Sequence, residues 1–361
     1  MRQESIDLLK NLLESFGPAG FERETAQIVK NHVTPYADEV TSDKLGTVIF
    51  KKRGTQDTPR ILLAGHMDEV GFVISGIDDS GFLTFNPLGG WFDQVLLSQR
   101  VTVRTKRGDL LGLVASKPPH LLTPDEQKQV VTKDKMYIDI GTSTKKESED
   151  LGVRIGDPAI PWSPFTLIQD GRLALGKAFD DRIGAFIAIE AVKKLKEEAV
   201  FHPNTVYGAA TVQEEVGLRG AQTVAHVVDP DAAIVLEVDI SGDVPGIKSY
   251  EAPCKVGKGP TILTFDASMI PNQPFKEFMI DVAEKHGIPY QLSQVSKGGT
   301  DAGRIHLNRA GCPSIVVGVA TRHIHSHAGI LSIEDTENAI KLTVEAVRTL
   351  DGKTVDSFTQ I

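Results

Sequence analysis

Apolar residues change their spacing twice along this chain. Near the start, Leu8, Leu9, Leu12 and Leu13 recur at helical intervals, and Ala26, Val29 and Val33 line one side of a second segment that follows a Gly-Pro turn. The stretch "RILLAGHMDEVG" then runs apolar without alternation and stops at His66, the pattern of a strand covered on both faces. Between residues 71 and 164 the helical period disappears. Short alternating runs flank the turn residues at 78–81 and 106–109, which predicts two hairpins. "KMYIDIG" predicts a further strand, and "SKPPHLLTPDEQKQVV" a long loop. From Leu173 helices return. Ile183, Ile187, Ala191 and Leu195 mark one helix face, strands are expected over 206–212, 232–238 and 314–319, and "FKEFMIDVAEKHG" is a helix between them. The last helix opens on a capping pattern, Ser332 to Asp335, and continues through Ile340, Val344 and Val347. The expectation is a discontinuous α/β domain, residues 1–70 plus 165–361, with its sheet covered on both faces. A small β-barrel, residues 71–164, is inserted into it.

Composition narrows the function. With 39 Lys and Arg against 48 Asp and Glu, the formal charge is -9. No basic run stands out, which argues against a nucleic-acid partner, and the acidic balance suits small cations. The first helix carries Glu4, Asp7 and Lys10, so it does not read as a signal peptide. No apolar run reaches the ~18 residues that span a bilayer, so no membrane association is expected. Cys254 and Cys312 lack paired-motif spacing and read as reduced thiols, which fits a cytoplasmic protein.

The informative residues stand where apolar strands stop. One strand ends in His66 and Asp68, a second in Glu214 and Glu215. A third carries Glu237 and Asp239, and a fourth runs into His323, His325 and His327. Asp180 and Asp181 precede a helix. Each has an ordinary reading alone: a hydrogen-bonded histidine, a helix N-cap, a solvated turn. Ligand chemistry at four strand ends together is a different matter, because ligands of open α/β sheets gather beyond the carboxyl ends of strands. Imidazole and carboxylate without cysteine suit zinc, cobalt or manganese. An excess of carboxylates suits two cations that share a bridging carboxylate. Two neighbouring glutamates are then tolerable, one neutralised by metal and one free to carry a proton.

The segments "GHMDEVGF", "GKAFDDRIG", "VQEEVGLRGA", "GGTDAG" and "RHIHS" together resemble the TET-type metalloaminopeptidases, metallopeptidase family 42, which includes glutamyl and deblocking aminopeptidases. The resemblance runs in order over nearly the whole chain. It implies a phosphorylase/hydrolase-like α/β fold of zinc-peptidase type, in which the inserted β-barrel serves dimerisation. It implies one divalent metal on His66, Asp180 and Glu237 and a second on Asp180, Glu215 and His325, with Asp180 bridging. Glu214 becomes the general base, and Asp68 orients His66. The family more often has Asp where Glu237 stands, so Asp239, two residues on and on the same strand face, competes for that place.

The function so implied is an aminopeptidase that removes N-terminal residues from short peptides with metal-activated water. A barrel larger than catalysis needs suggests paired subunits, and the family commonly builds dodecamers from dimers. Two other chemistries stay open at this stage. A deacylase or carboxypeptidase would keep the metals and need a cation for the substrate carboxylate, for which Arg219 and Arg322 are candidates. A glycosidase would use paired carboxylates, but from positions flanking the scissile bond. His120, in the long barrel loop, has no assigned role, although it could reach a neighbouring subunit.

Overall fold

The computed structural model describes residues 1–360. Helices α1 (Gln3–Glu14) and α2 (Arg23–Val33) open the chain, followed by strands β1 (Glu39–Ser42), β2 (Val48–Arg53) and β3 (Arg60–His66). The chain then leaves the sheet. Strands β4 (Gly71–Ile77), β5 (Leu83–Leu88), β6 (Arg100–Thr105), β7 (Gly108–Ala115), β8 (Tyr137–Asp139) and β9 (Pro158–Pro161), with the short helix α3 (Lys145–Asp150), make a closed barrel in the order β4-β5-β8-β7-β6-β9. Its own core holds Phe72, Leu83, Trp91, Val101, Val103, Val114 and Ile138. Both hairpins fall at the turns expected from sequence, and the long loop contains only 3-10 turns such as Pro119–Leu121.

On return the chain adds β10 (Thr166–Ile168), β11 (Leu173–Gly176), the long helix α4 (Phe179–Glu197), β12 (Thr205–Thr211), α5 (Arg219–Val228) and β13 (Ala232–Ile240). Then come β14 (Thr261–Leu263), α6 (Gln273–Lys285), β15 (Gln291–Ser293), α7 (Ala302–Ile305), β16 (Ser314–Arg322), β17 (Gly329–Ser332), α8 (Ile333–Val347) and α9 (Gly352–Ser357). The eleven-stranded sheet has the order β1-β2-β12-β3-β13-β16-β17-β11-β10, and β14 and β15 join beside β16. Its centre, β12-β3-β13-β16, is all parallel, and its margins are antiparallel except where β14 pairs with β15. This mixed sheet was expected as a class. The short strands β1, β10, β14 and β15 were not, because three or four residues carry no readable period.

The central strands are apolar throughout because helices cover both faces. Helix α4 lies on β3, β12 and β13, with α1 and α8 packed over it, so nearly every one of its side chains is buried. The approach is close enough to require glycine on both sides. A Cβ on Gly65 would meet the Gly184 carbonyl carbon at 2.3 Å, and one on Gly184 would meet the Leu236 carbonyl oxygen at 2.1 Å. That contact fixes the start of α4 against the ends of β3 and β13. Helix α8 begins as the sequence predicts, with the Ser332 hydroxyl accepting the Asp335 N–H at 3.1 Å.

A buried cation ties the N-terminal helices to this core. Arg182, fully buried, donates to the carbonyls of Leu12, Leu13, Ser15, Gly17 and Met67, and to Glu69 at 2.9 Å. Lys177 donates to both oxygens of the same Glu69 and to the Ser15 carbonyl. Arg182→Met should therefore lower stability by about 3–5 kcal/mol, because it leaves Glu69 half-compensated and takes a donor from each of five carbonyls. Urea unfolding of the two proteins measures this, and equal midpoints would show that the cluster contributes nothing.

Candidate metal centre

The parallel centre of the sheet brings four carboxyl ends to one side. His66 is the last residue of β3 and pairs with Thr211 on β12. The register that sets Val235 opposite Ala64 brings Glu237 level with His66 on the other flank. Glu214 and Glu215 follow β12, and His325 follows β16. Asp180 and Asp181 lie at the start of α4 with non-helical backbone angles, and the peptide between them is cis. The ordinary N-cap reading holds for Asp181. Its Oδ1 accepts the Gly184 N–H at 3.0 Å and its Oδ2 the His66 N–H at 3.1 Å. Asp180 is left to face the imidazoles.

His66 Nε2 is 3.2 Å from Asp180 Oδ1, 3.7 Å from Glu214 Oε2 and 4.0 Å from Glu237 Oε1. The other oxygen of Asp180, Oδ2, is 3.3 Å from His325 Nε2. Two sets of donor atoms converge within 4.8 Å: His66, Asp180 and Glu215, and His66, Glu214 and Glu237. Carbonyls fix both imidazoles. His66 Nδ1 lies 3.1 Å from the Asp68 carbonyl and His325 Nδ1 2.6 Å from the Gly90 carbonyl. A carbonyl only accepts, so each Nδ1 carries the hydrogen and each Nε2 faces the carboxylates. The Asp68 carboxylate is farther from His66, at 3.5 Å, and binds elsewhere. It accepts the N–H groups of Glu214 at 3.0 Å and Glu215 at 3.2 Å. Asp68 thus positions three residues, with its backbone oxygen nearest the imidazole.

Other candidates lie apart. Asp239 is in neither donor set and has the hydroxyls of Thr261 and Ser293 beside it. His323 and His120 are exposed. His327 is buried, packs 5.6 Å from the Trp91 ring and is pushed down to about 4 by burial, so it stays neutral. Arg322 is tied to Asp243, and the exposed Arg219 donates to Gln213. Burial pushes both thiols up to about 12, so Cys254 and Cys312 are inert. Two contributions escaped the sequence reading. The inserted barrel supplies the loop Gly89–Gly90, whose carbonyl holds His325. Asp301, buried in the "GGTDAG" segment, accepts from the Thr211 hydroxyl next to His66. The adjacent glycines were a visible signal for close approach, but nothing local said to what.

Burial and mutual repulsion govern the charges. Glu215 is pushed up to about 8, by burial first and by Asp180 second, while Glu214 and Glu237 are held well above the carboxylate range. Asp180 goes the other way. Burial raises it, but donation from His325 and His66 holds it below its ordinary value. Burial opposes charge on His66, yet Glu214, Asp180 and Asp68 raise it well above normal; Asp180 raises His325 to about 10. All ion pairs of these carboxylates are with histidine, none with Lys or Arg among the described residues. Glu215 Oε1 is buried without any partner. A dense anionic cluster with imidazole nitrogens turned inward fits divalent cations, and oxygen with nitrogen donors fits zinc, cobalt or manganese. A cavity of about 670 Å³ opens on the cluster.

The chain is similar to known proteins over nearly its whole length. Residues 46–342 match the family described as M42 glutamyl aminopeptidase. The TET aminopeptidase of the marine sediment archaeon Thaumarchaeota archaeon SCGC AB-539-E09 is 62% identical, with 99% of this chain and 100% of that chain covered and a TM-score of 0.98. The TET1 peptidase of Pyrococcus horikoshii, described as assembling into a tetrahedron or a large octahedral shell, is 31% identical over 96% of this chain and 100% of its own, with a TM-score of 0.84. The lysyl aminopeptidase of Pyrococcus furiosus is 34% identical, covering 93% of this chain and 94% of its own.

Two outcomes follow from the geometry and the charges. A Cβ on Gly89, whose φ is +83°, would meet Val70 at 2.7 Å and Glu215 Oε2 at 3.0 Å. Gly89→Ala should weaken divalent-cation binding by roughly 10–100-fold, the usual cost of disturbing a ligand's support, as read by calorimetric titration. Unchanged affinity would free Glu215 from the donor set. The second outcome concerns pH. A carboxyl raised to about 8 stabilises the fold fully below its ordinary value and loses that contribution as pH rises through about 8. His325, raised to about 10, acts in the same direction at higher pH. The cation-free protein should lose melting temperature between about pH 5 and about pH 9, and added divalent cation should flatten the slope. A cation-free profile that rises over this range would refute the charge assignment.

Proposed function

The chain belongs to the M42 glutamyl aminopeptidase family and is an aminopeptidase, and from that premise we propose that it works through two divalent cations with Glu214 as general base. One observation carries the metal assignment: the two oxygens of Asp180 each face a different imidazole, at 3.2 and 3.3 Å. His66, Asp180 and Glu237 would hold one cation, and Asp180, Glu215 and His325 the other. The cations would supply Lewis acidity, making water acidic near neutral pH and polarising the scissile carbonyl.

The chain's own groups do the rest. Glu214 lies beside His66 with its carboxyl pushed above the ordinary range by burial, which suits a group that takes a proton and returns it to the leaving amine near neutral pH. Asp68 holds the backbone of Glu214 and Glu215, so base and ligand share one support. The free α-amino group of a peptide has carboxylates to bind at the cavity, which restricts cutting to the N-terminal bond. Of the two cations that a carboxypeptidase could have used for the substrate carboxylate, Arg322 is paired with Asp243 and Arg219 is turned to Gln213. A glycosidase would leave both imidazoles without a role.

For the assembly, we propose dimers through the barrel, built into a hollow dodecamer that admits short or unfolded peptides. Leu111 and Leu113 support this, since they point outward from β7 at 56% and 42% exposure. No helix among the described residues is long and apolar enough to cross a membrane. Two buried, unpaired cysteines fit a cytoplasmic site of action.

Glu214→Gln should keep both cations by elemental analysis and lose roughly 10²–10⁴-fold in kcat on a good aminoacyl substrate, because an amide cannot accept the proton. Wild-type turnover would exclude Glu214 as the base. Light scattering should give a mass near twelve chains with dimers on dissociation, and peptides with a free amino terminus should be shortened while N-blocked ones persist. A fully active monomer would sink the assembly proposal.

A further inference from the structure

Asp239 is a buried carboxylate that the metal centre does not use. It is 6% exposed and stands on β13 two residues beyond Glu237, with its side chain on the same face. Two residues of strand place it roughly 6.6 Å farther from the centre, in the wall of the same cavity. Gly318 makes its position possible. A Cβ there would meet the Thr261 hydroxyl at 2.6 Å and the Asp239 Cβ at 3.4 Å, so only glycine leaves both in place. The hydroxyls beside it are weak compensation for an anion, and among the described residues no Lys or Arg pairs with it. The wall around it is apolar, from Leu263, Val295 and Val316.

Two further charged side chains outside the metal centre line the cavity, and neither competes well. Asp266 is spent on the chain itself. Its Oδ1 accepts from the N–H groups of Ser268 and Met269 and the Ser268 hydroxyl, and its Oδ2 accepts from Thr300. Lys297 is exposed at the mouth, where water screens its charge. A buried anion in an apolar wall exerts the stronger field, and a cation brought to it recovers part of its desolvation cost.

We propose that Asp239 selects the first residue of the substrate, favouring a basic side chain. The four-carbon stem of lysine would lie along Leu263 and Val295 and bring its ammonium to Asp239, while an acidic side chain would meet a like charge. This rests on the aminopeptidase reading, in which the peptide's α-amino group sits at the metal centre.

The test compares lysine with norleucine, which has the same stem without the ammonium, on the wild-type holoenzyme. Lysyl and arginyl p-nitroanilides should be cleaved with kcat/KM at least tenfold above the norleucyl compound, and the glutamyl compound should be the poorest. Free L-lysine should also bind more tightly than L-norleucine in calorimetric titration, a readout independent of turnover. Asp239→Asn should collapse the lysyl-to-norleucyl ratio by tenfold or more. A ratio near one, or a glutamyl preference that Lys297→Ala removes, would overturn the assignment while leaving the aminopeptidase reading intact. Failure to cleave every aminoacyl substrate would overturn both. Should Asp239→Asn fail to fold, the lysine–norleucine comparison still decides.

Discussion

Uncompensated negative charge gathered at the carboxyl edge of the parallel strands is the constraint around which this molecule is arranged. Asp180, Glu214, Glu215 and Glu237 crowd around His66, and no lysine or arginine comes to them. A few residues away the chain treats a buried carboxylate in the opposite manner. Glu69, 1% exposed, is held by both Arg182 and Lys177. Burying a charge is tolerable only when it is paired or neutralised. The protein neutralises Glu69 itself and leaves the strand-end carboxylates for something brought from outside. The second solution is unstable alone, which is why Glu214, Glu215 and Glu237 are forced toward their protonated forms while Asp180 keeps its charge only through the two imidazoles.

The two solutions meet in one short segment. Along 66–69, His66 and Asp68 serve the metal centre, while the Met67 carbonyl and the Glu69 carboxylate serve Arg182. Extended backbone sends successive side chains to opposite sides, so an alternating sequence can feed two environments at once. Arg182 stands two residues after Asp180, just past the N-cap Asp181. The hub that secures the N-terminal helices therefore also holds the start of α4, which positions Asp180. Gly65 and Gly184 set the spacing between these parts, since either side chain would separate helix from sheet.

Much of this was legible in the chain because it is local. Apolar runs that stop at His66, Glu214 and Glu237 announce both a buried parallel sheet and ligand chemistry at its edge. The rivalry between Glu237 and Asp239 could not be resolved that way, because both point to one face. Register separates them: pairing with β3 sets Glu237 level with His66 and leaves Asp239 one step beyond. The three histidines near the end divide for a similar reason. His325 takes a left-handed backbone angle, φ +53°, that turns it to Asp180, His327 packs into the barrel's aromatic cluster and His323 faces water. Spacing gives no hint of such a division.

The least legible part is the dependence of the centre on the inserted domain. Gly90 lies 235 residues before His325, yet its carbonyl sets the tautomer and direction of that imidazole. Gly89 packs on Glu215 at the same point. The ligands expected on one side of Asp180 are thus supported by backbone from a domain with its own core and its own closed barrel. A contact that uses backbone atoms and glycine leaves almost no side-chain signature, so sequence shows a hairpin loop and nothing more. Physically it means that the barrel cannot shift against the α/β domain without moving His325 and Glu215, so the metal centre is a property of the two domains together.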